Sequence, residues 1–105
     1  MDVCFESIPD AVHGAEHRPG TYMLIDGDDV VYVGSSRDVV RRLRKHLYLV
    51  SSFGERLARA LGVERAREFV KRLRVCIHYV ESVEEARKLE TTLIRLLKPR
   101  LVVRE

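Results

Sequence analysis

The chain has 105 residues, 46% of them hydrophobic and 33% charged, with a formal net charge of +3. That balance excludes a disordered polyelectrolyte and is enough for one buried core. No apolar run approaches the roughly 20 residues of a membrane-spanning helix. The opening MDVCFESIPD lacks the apolar stretch of a signal peptide, so a cytoplasmic location is expected.

A pI near 9.1 is weak evidence for a polyanionic partner, and the distribution of charge says more. Five basic residues and one acid, Asp38, lie between Arg37 and Lys45. The chain has no Asn, Gln or Trp, and its arginines far outnumber its lysines, a composition suggestive of a thermophile. Its cysteines, Cys4 and Cys76, form no CxxC pair and no zinc pattern. Cys76 is expected to act as a small buried apolar residue, and a disulfide with Cys4 is not expected in a reducing compartment.

Residues 1–19 contain turn formers and little periodicity, and read as a lead-in segment to a single domain over 1–105. TYMLI (Thr21–Ile25) and VVYVG (Val30–Gly34) are β-branched and aromatic runs around DGDD, a hairpin signal. An odd-length loop, such as three residues with Gly27 left-handed, puts Tyr22 and Tyr32 on the same face; an even loop separates them. Asp38 can cap a helix from Val39 to about Leu49, with Val39, Leu43 and Leu47 as its buried stripe. Arg42 and His46 lie one turn apart on a neighbouring stripe. SSFGERLARALG and ERAREFVKRLR then read as one interrupted helix or two, with Gly62 as the break. RVCIHYV is a third strand, and Ser82 with Glu85 forms a capping box opening a helix to about Leu97, which Lys98-Pro99 ends.

In that last helix Ala86, Leu89, Leu93 and Leu97 make the apolar stripe, and Glu90 falls on its edge. A half-buried carboxylate must be paired, protonated or bound to a metal. The ordinary reading is an ion pair with Arg87 or another arginine. Each of the other residues has an equally ordinary reading: tyrosines in strands pack against their neighbours, and arginines on a charged helix face water.

Taken in order, GTY (Gly20–Tyr22), YVG (Tyr32–Gly34), Arg42, His46 and Glu90 resemble the GIY-YIG nuclease family, from Pro19 to about Arg100. The resemblance implies an α+β fold, a three-stranded antiparallel sheet flanked by helices in the order β-β-α-α-β-α. It implies an endonuclease hydrolysing nucleic-acid phosphodiester bonds, expected in DNA, with one divalent ion, Mg²⁺ or Mn²⁺. Glu90 would be the metal ligand, and Tyr22 and Tyr32 would line the site, one of them orienting or deprotonating water. Arg42 would stabilise phosphate charge, and His46 would hydrogen-bond a tyrosine or the phosphate. Ser35, Arg37, Arg41, Arg44 and Lys45 would contact the nucleic-acid backbone.

The residues supply what such chemistry needs: an oxygen ligand for a hard cation, a planar fork for phosphate oxygens and a candidate proton acceptor. No recognition helix is visible. That suits structure-selective cleavage in repair or recombination, or a protein partner that supplies specificity, better than site-specific cutting. One position departs from the family. Many members end in a Pro-x-x-Asn pattern, and here Val102 stands where the asparagine would be. The alternative is therefore a catalytically weakened nucleic-acid-binding module of the same fold.

Overall fold

The computed structural model describes residues 2–101. The elements run β1 (Asp2–Phe5), α1 (Ile8–Gly14), β2 (Gly20–Asp26), β3 (Asp29–Ser36), α2 (Val39–Leu47), α3 (Ser52–Leu61), α4 (Val63–Arg72), β4 (Arg74–Tyr79) and α5 (Val83–Leu97). The sheet is antiparallel throughout, with four strands in the order β1-β4-β2-β3. Among the described residues no helix is long and apolar enough to cross a membrane.

The α+β class holds, but the three-stranded expectation is corrected. The lead-in segment is structured: β1 adds to the outer edge of β4, and α1 follows it. Two features hid these elements. β1 is only four residues long and mostly exposed, so it carries no alternating apolar pattern. Pro9, which reads as a turn former, sits in the first turn of α1, where its missing N–H costs nothing, behind the N-cap Ser7.

The same strand explains the cysteines. With β1 in place, Cys4 lies directly opposite Cys76 on β4, their Cα atoms 4.0 Å apart, and the two sulfurs are bonded. The expectation of a free, buried Cys76 is thus corrected: it is partly exposed and disulfide-linked.

Four helices, α1 to α4, pack on the sheet face that carries Tyr22, Leu24, Val75 and Ile77, all fully buried. The opposite face, with Thr21, Met23, Val33 and Ser35, meets α5, and the Thr21 hydroxyl donates to the Ala86 carbonyl at 2.7 Å. The separation of α3 from α4 falls at Gly62 as the sequence implies. Pro99 is buried after α5. The amides of Arg100 and Leu101 then donate to the carbonyls of Val30 and Val31, covering part of the free edge of β3.

The hairpin register decides where the tyrosines point. Asp26 pairs with Asp29, so the loop is the two-residue Gly27–Asp28, not three residues. Gly27 has φ +63°, a conformation that suits glycine at the first central position of such a turn. An even loop alone would put Tyr22 and Tyr32 on opposite faces. The register slips between Leu24 and Ile25, however, leaving Val31 as an extra residue on β3. Beyond this bulge Leu24 faces Tyr32 and Tyr22 faces Gly34, so both tyrosines lie on the helical α1–α4 face.

Candidate active site

Tyr22, Tyr32, His46 and Phe53 form an aromatic nest under the α2 helix. The Tyr22 and Tyr32 ring centroids are 6.2 Å apart, and His46 lies 5.6 Å from the first and 5.4 Å from the second. Gly34 makes room for it. A Cβ there would come within 2.5 Å of the Tyr22 hydroxyl oxygen and 2.8 Å of a Tyr32 ring carbon. The glycine of YVG is therefore a clearance for two rings. Gly34→Ala is expected to displace both tyrosines and destabilise the fold by about 1–3 kcal/mol. Urea unfolding would measure this, and an unchanged midpoint would count against the clearance role.

His46 is fully buried and bonded at both ring nitrogens: Nε2 lies 2.6 Å from the Tyr22 hydroxyl and Nδ1 2.6 Å from the Ser51 hydroxyl. Ser51 also accepts the Gly54 amide as the N-cap of α3. Burial first, and then the Arg42 guanidinium, push the His46 pKa down to about 3, so the ring is neutral. Of the two partners expected for His46, the structure supplies the tyrosine. The buried stripe of α2 is consequently Val39, Val40, Leu43 and His46, with Leu47 only half-buried.

Glu90 sits on the other side of the sheet edge. It is half-buried on α5 and accepts a hydrogen bond from the Ser35 hydroxyl of β3. The ion pairs among the described residues do not include it. The ordinary expectation of a Glu90–arginine pair is therefore not what the structure contains. No group of three or more metal-ligating side chains occurs among the described residues, and the carboxylate beside Ser35 that could meet a cation is Glu90. One carboxylate with water completing the shell is a donor set that Mg²⁺ accepts.

Ser35 also lines a cavity of about 350 Å³ at the C-terminal end of β3. Its walls come from α2 (Arg41, Arg42, Lys45), from the β3–α2 junction (Ser36, Arg37, Asp38) and from the start of α5 (Val83, Arg87). Asp38 is the only acid among the described residues that line it. It caps α2 through the Arg41 amide, and His17 holds it at 2.9 Å. Desolvation would raise its pKa, but the bonds from His17 and the Arg41 amide, with the His17 charge, together hold it below the usual range.

Of the residues singled out in the sequence, Ser35, Arg37, Arg41, Arg42 and Lys45 converge on this cavity. Arg44 is exposed on α2 but does not line it. Tyr22 and His46 are sealed beneath α2, and Tyr32 keeps 6% of its surface exposed. Arg87 was legible only as a possible partner for Glu90; its place in the cavity wall was not. The available signal was helical spacing, since Val83, Arg87 and Glu90 share one stripe of α5. Val102 lies outside the described residues.

The GIY-YIG catalytic domain model matches residues 18–102. No curated protein matches the chain significantly. Among solved structures, the GIY-YIG N-terminal endonuclease domain of UvrC from Thermotoga maritima, bound to its catalytic magnesium, superposes with a TM-score of 0.69 at 24% identity, covering 91% of this chain and 96% of that one. Two point-mutant forms of the same domain, also bound to the catalytic divalent cation, are 25% and 26% identical with TM-scores of 0.68 and 0.67, each covering 92% of this chain and 96% of the other. The order of motifs along the sequence, the sheet with its helices and the match over most of the length agree, and the chain belongs to the GIY-YIG family.

Proposed function

We propose that this chain is a divalent-cation-dependent endonuclease that hydrolyses phosphodiester bonds in DNA. The observation that carries the reading is Glu90, a half-buried carboxylate with a hydroxyl partner and no ion pair among the described residues, bonded to Ser35, which lines a cavity rich in arginines. Left alone, such a carboxylate costs stability. The UvrC domain of the same fold, bound to its catalytic magnesium, supports a divalent ion as the partner of that carboxylate.

In this reading Glu90 would hold the ion, which when bound would supply positive charge to a phosphate oxygen. Arg42, half-buried on α2, offers a planar fork to the non-bridging oxygens. Tyr32, at the edge of the aromatic nest, orients the attacking water and, as its phenolate, takes the water's proton while the P–O bond to the leaving strand breaks and the departing oxygen is protonated from solvent. At its ordinary pKa of about 10 a tyrosine is a poor base, so it needs the positive field from the cavity to work near neutrality. Tyr22 and His46, fully buried, act as positioning residues that fix the Tyr32 ring from below.

The test is incubation with linear, nicked and branched DNA in Mg²⁺ or Mn²⁺. Cleavage that stops on chelation is expected. Binding of DNA without cleavage of any substrate in either metal would end the reading. It would favour instead the weakened binding module that Val102 suggests.

A further inference from the structure

The cavity at the end of β3 collects more charge than one scissile phosphate requires. Arg37, Arg41, Arg42, Lys45 and Arg87 line it, and none of the five makes an ion pair with a carboxylate among the described residues. The lone acid, Asp38, is already engaged by His17 and the α2 backbone.

Arg87 is the telling member. It lies three residues before Glu90, about 4.5 Å along the helix, and on the same stripe. An arginine so placed would ordinarily neutralise that glutamate. Instead it faces the cavity and no ion pair joins the two. It is also the cation that faces the α2 cluster from across the gap, so the cavity is basic on both walls.

Resting on the endonuclease reading, we propose that Arg87, with Arg37 and Arg41, forms a second phosphate site beside the cleavage centre. It takes an internal backbone phosphate next to the scissile one held at Arg42. The substrate strand then runs between α2 and α5 over Ser35 and Ser36. Arg87 is a positioning residue: it fixes the register of the backbone on Glu90 and Arg42, and does not touch the bond that breaks.

The experiment measures binding of fluorescent DNA, in chelator to prevent cleavage, across a salt series. Arg87→Ala is compared with Arg95→Ala, an exposed arginine on the same helix that does not line the cavity. Each phosphate contact contributes a slope of about −0.9 in log K against log salt. Arg87→Ala should flatten the slope by about one and weaken binding roughly three- to tenfold at moderate salt. Arg87→Lys should restore the slope, and Arg95→Ala should change neither quantity. Equal slopes for Arg87→Ala and Arg95→Ala overturn the proposal. So does a loss seen only with 5′-phosphorylated ends, which would make this a terminal-phosphate site. A protein that never cleaves but shows the Arg87 slope change would retain the second site and lose the nuclease reading. Cleavage with no Arg87 effect would do the reverse.

Discussion

Glu90→Gln is expected to lower cleavage by about 10³-fold or more while leaving the melting temperature unchanged or slightly raised. The substitution keeps size and shape and leaves an amide oxygen for the Ser35 hydroxyl, so the contact between β3 and α5 survives. It removes the negative charge, which is the property a hard cation requires. In a purely structural role the carboxylate would have a cationic partner, and its loss would strand that partner and cost stability. No such partner exists among the described residues. Neutralising a half-buried charge with no ion-pair partner among the described residues should therefore be neutral or mildly stabilising. Melting curves with and without Mn²⁺ give an independent readout. A ligand that binds only the folded state raises stability by RT ln(1 + [L]/Kd), so the wild type should gain with added ion and the variant should not. A variant that cleaves as fast as the wild type, or one that loses several degrees of melting temperature without metal, would show that Glu90 has a different task.

The parts of this fold that were legible in the sequence are those fixed by local rules. Asp38 and Ser82 cap the helices they announce, because a short polar side chain before an apolar run has one good use. The hairpin around DGDD and the break at Gly62 follow from glycine in turns. What escaped depends on non-local geometry. The face shared by Tyr22 and Tyr32 is set by a bulge at Val31, a residue that in the sequence is one more β-branched member of a strand. β1 becomes a strand only because β4 presents a free edge to it, and the Cys4–Cys76 link follows from that pairing. At the site, the residue types were readable and their partners were not. Glu90 sat on the correct edge of its helix by periodicity, yet whether Arg87 would pair with it or turn to the cavity depends on how α5 lies across β3. His46 fell by periodicity on a stripe beside the buried one, whereas Phe53 and Ser51, at the start of α3, lie over it and it is completely buried.

That burial makes acid stability the second large effect. The His46 pKa is pushed down to about 3 in the folded protein by burial and then by Arg42, from an ordinary value of 6.5. A histidine depressed in this way stays neutral when folded and takes a proton only when the chain unfolds. Between the two values the unfolded state binds more protons, so stability rises with pH across that window. The contribution is fully present above about pH 6.5 and is lost as pH falls toward 3, at up to about 1.4 kcal/mol per pH unit. Over the whole window this is a few kcal/mol, a large share of the 5–15 kcal/mol typical of a domain. Urea unfolding of the wild type should show midpoints falling steeply from pH 6 to pH 4. His46→Gln should start lower at pH 7, by roughly 1–3 kcal/mol for disturbed bonds to Tyr22 and Ser51, and then decline less steeply. The two curves should approach one another as the solution is acidified. The other three histidines are common to both proteins, so the difference between their curves isolates His46. NMR gives the direct check, since the His46 ring resonances should not titrate between pH 7 and pH 4. Parallel unfolding curves for the two proteins, or a ring that titrates near pH 6, would mean that His46 is reached by solvent and that the nest beneath Tyr32 is not sealed.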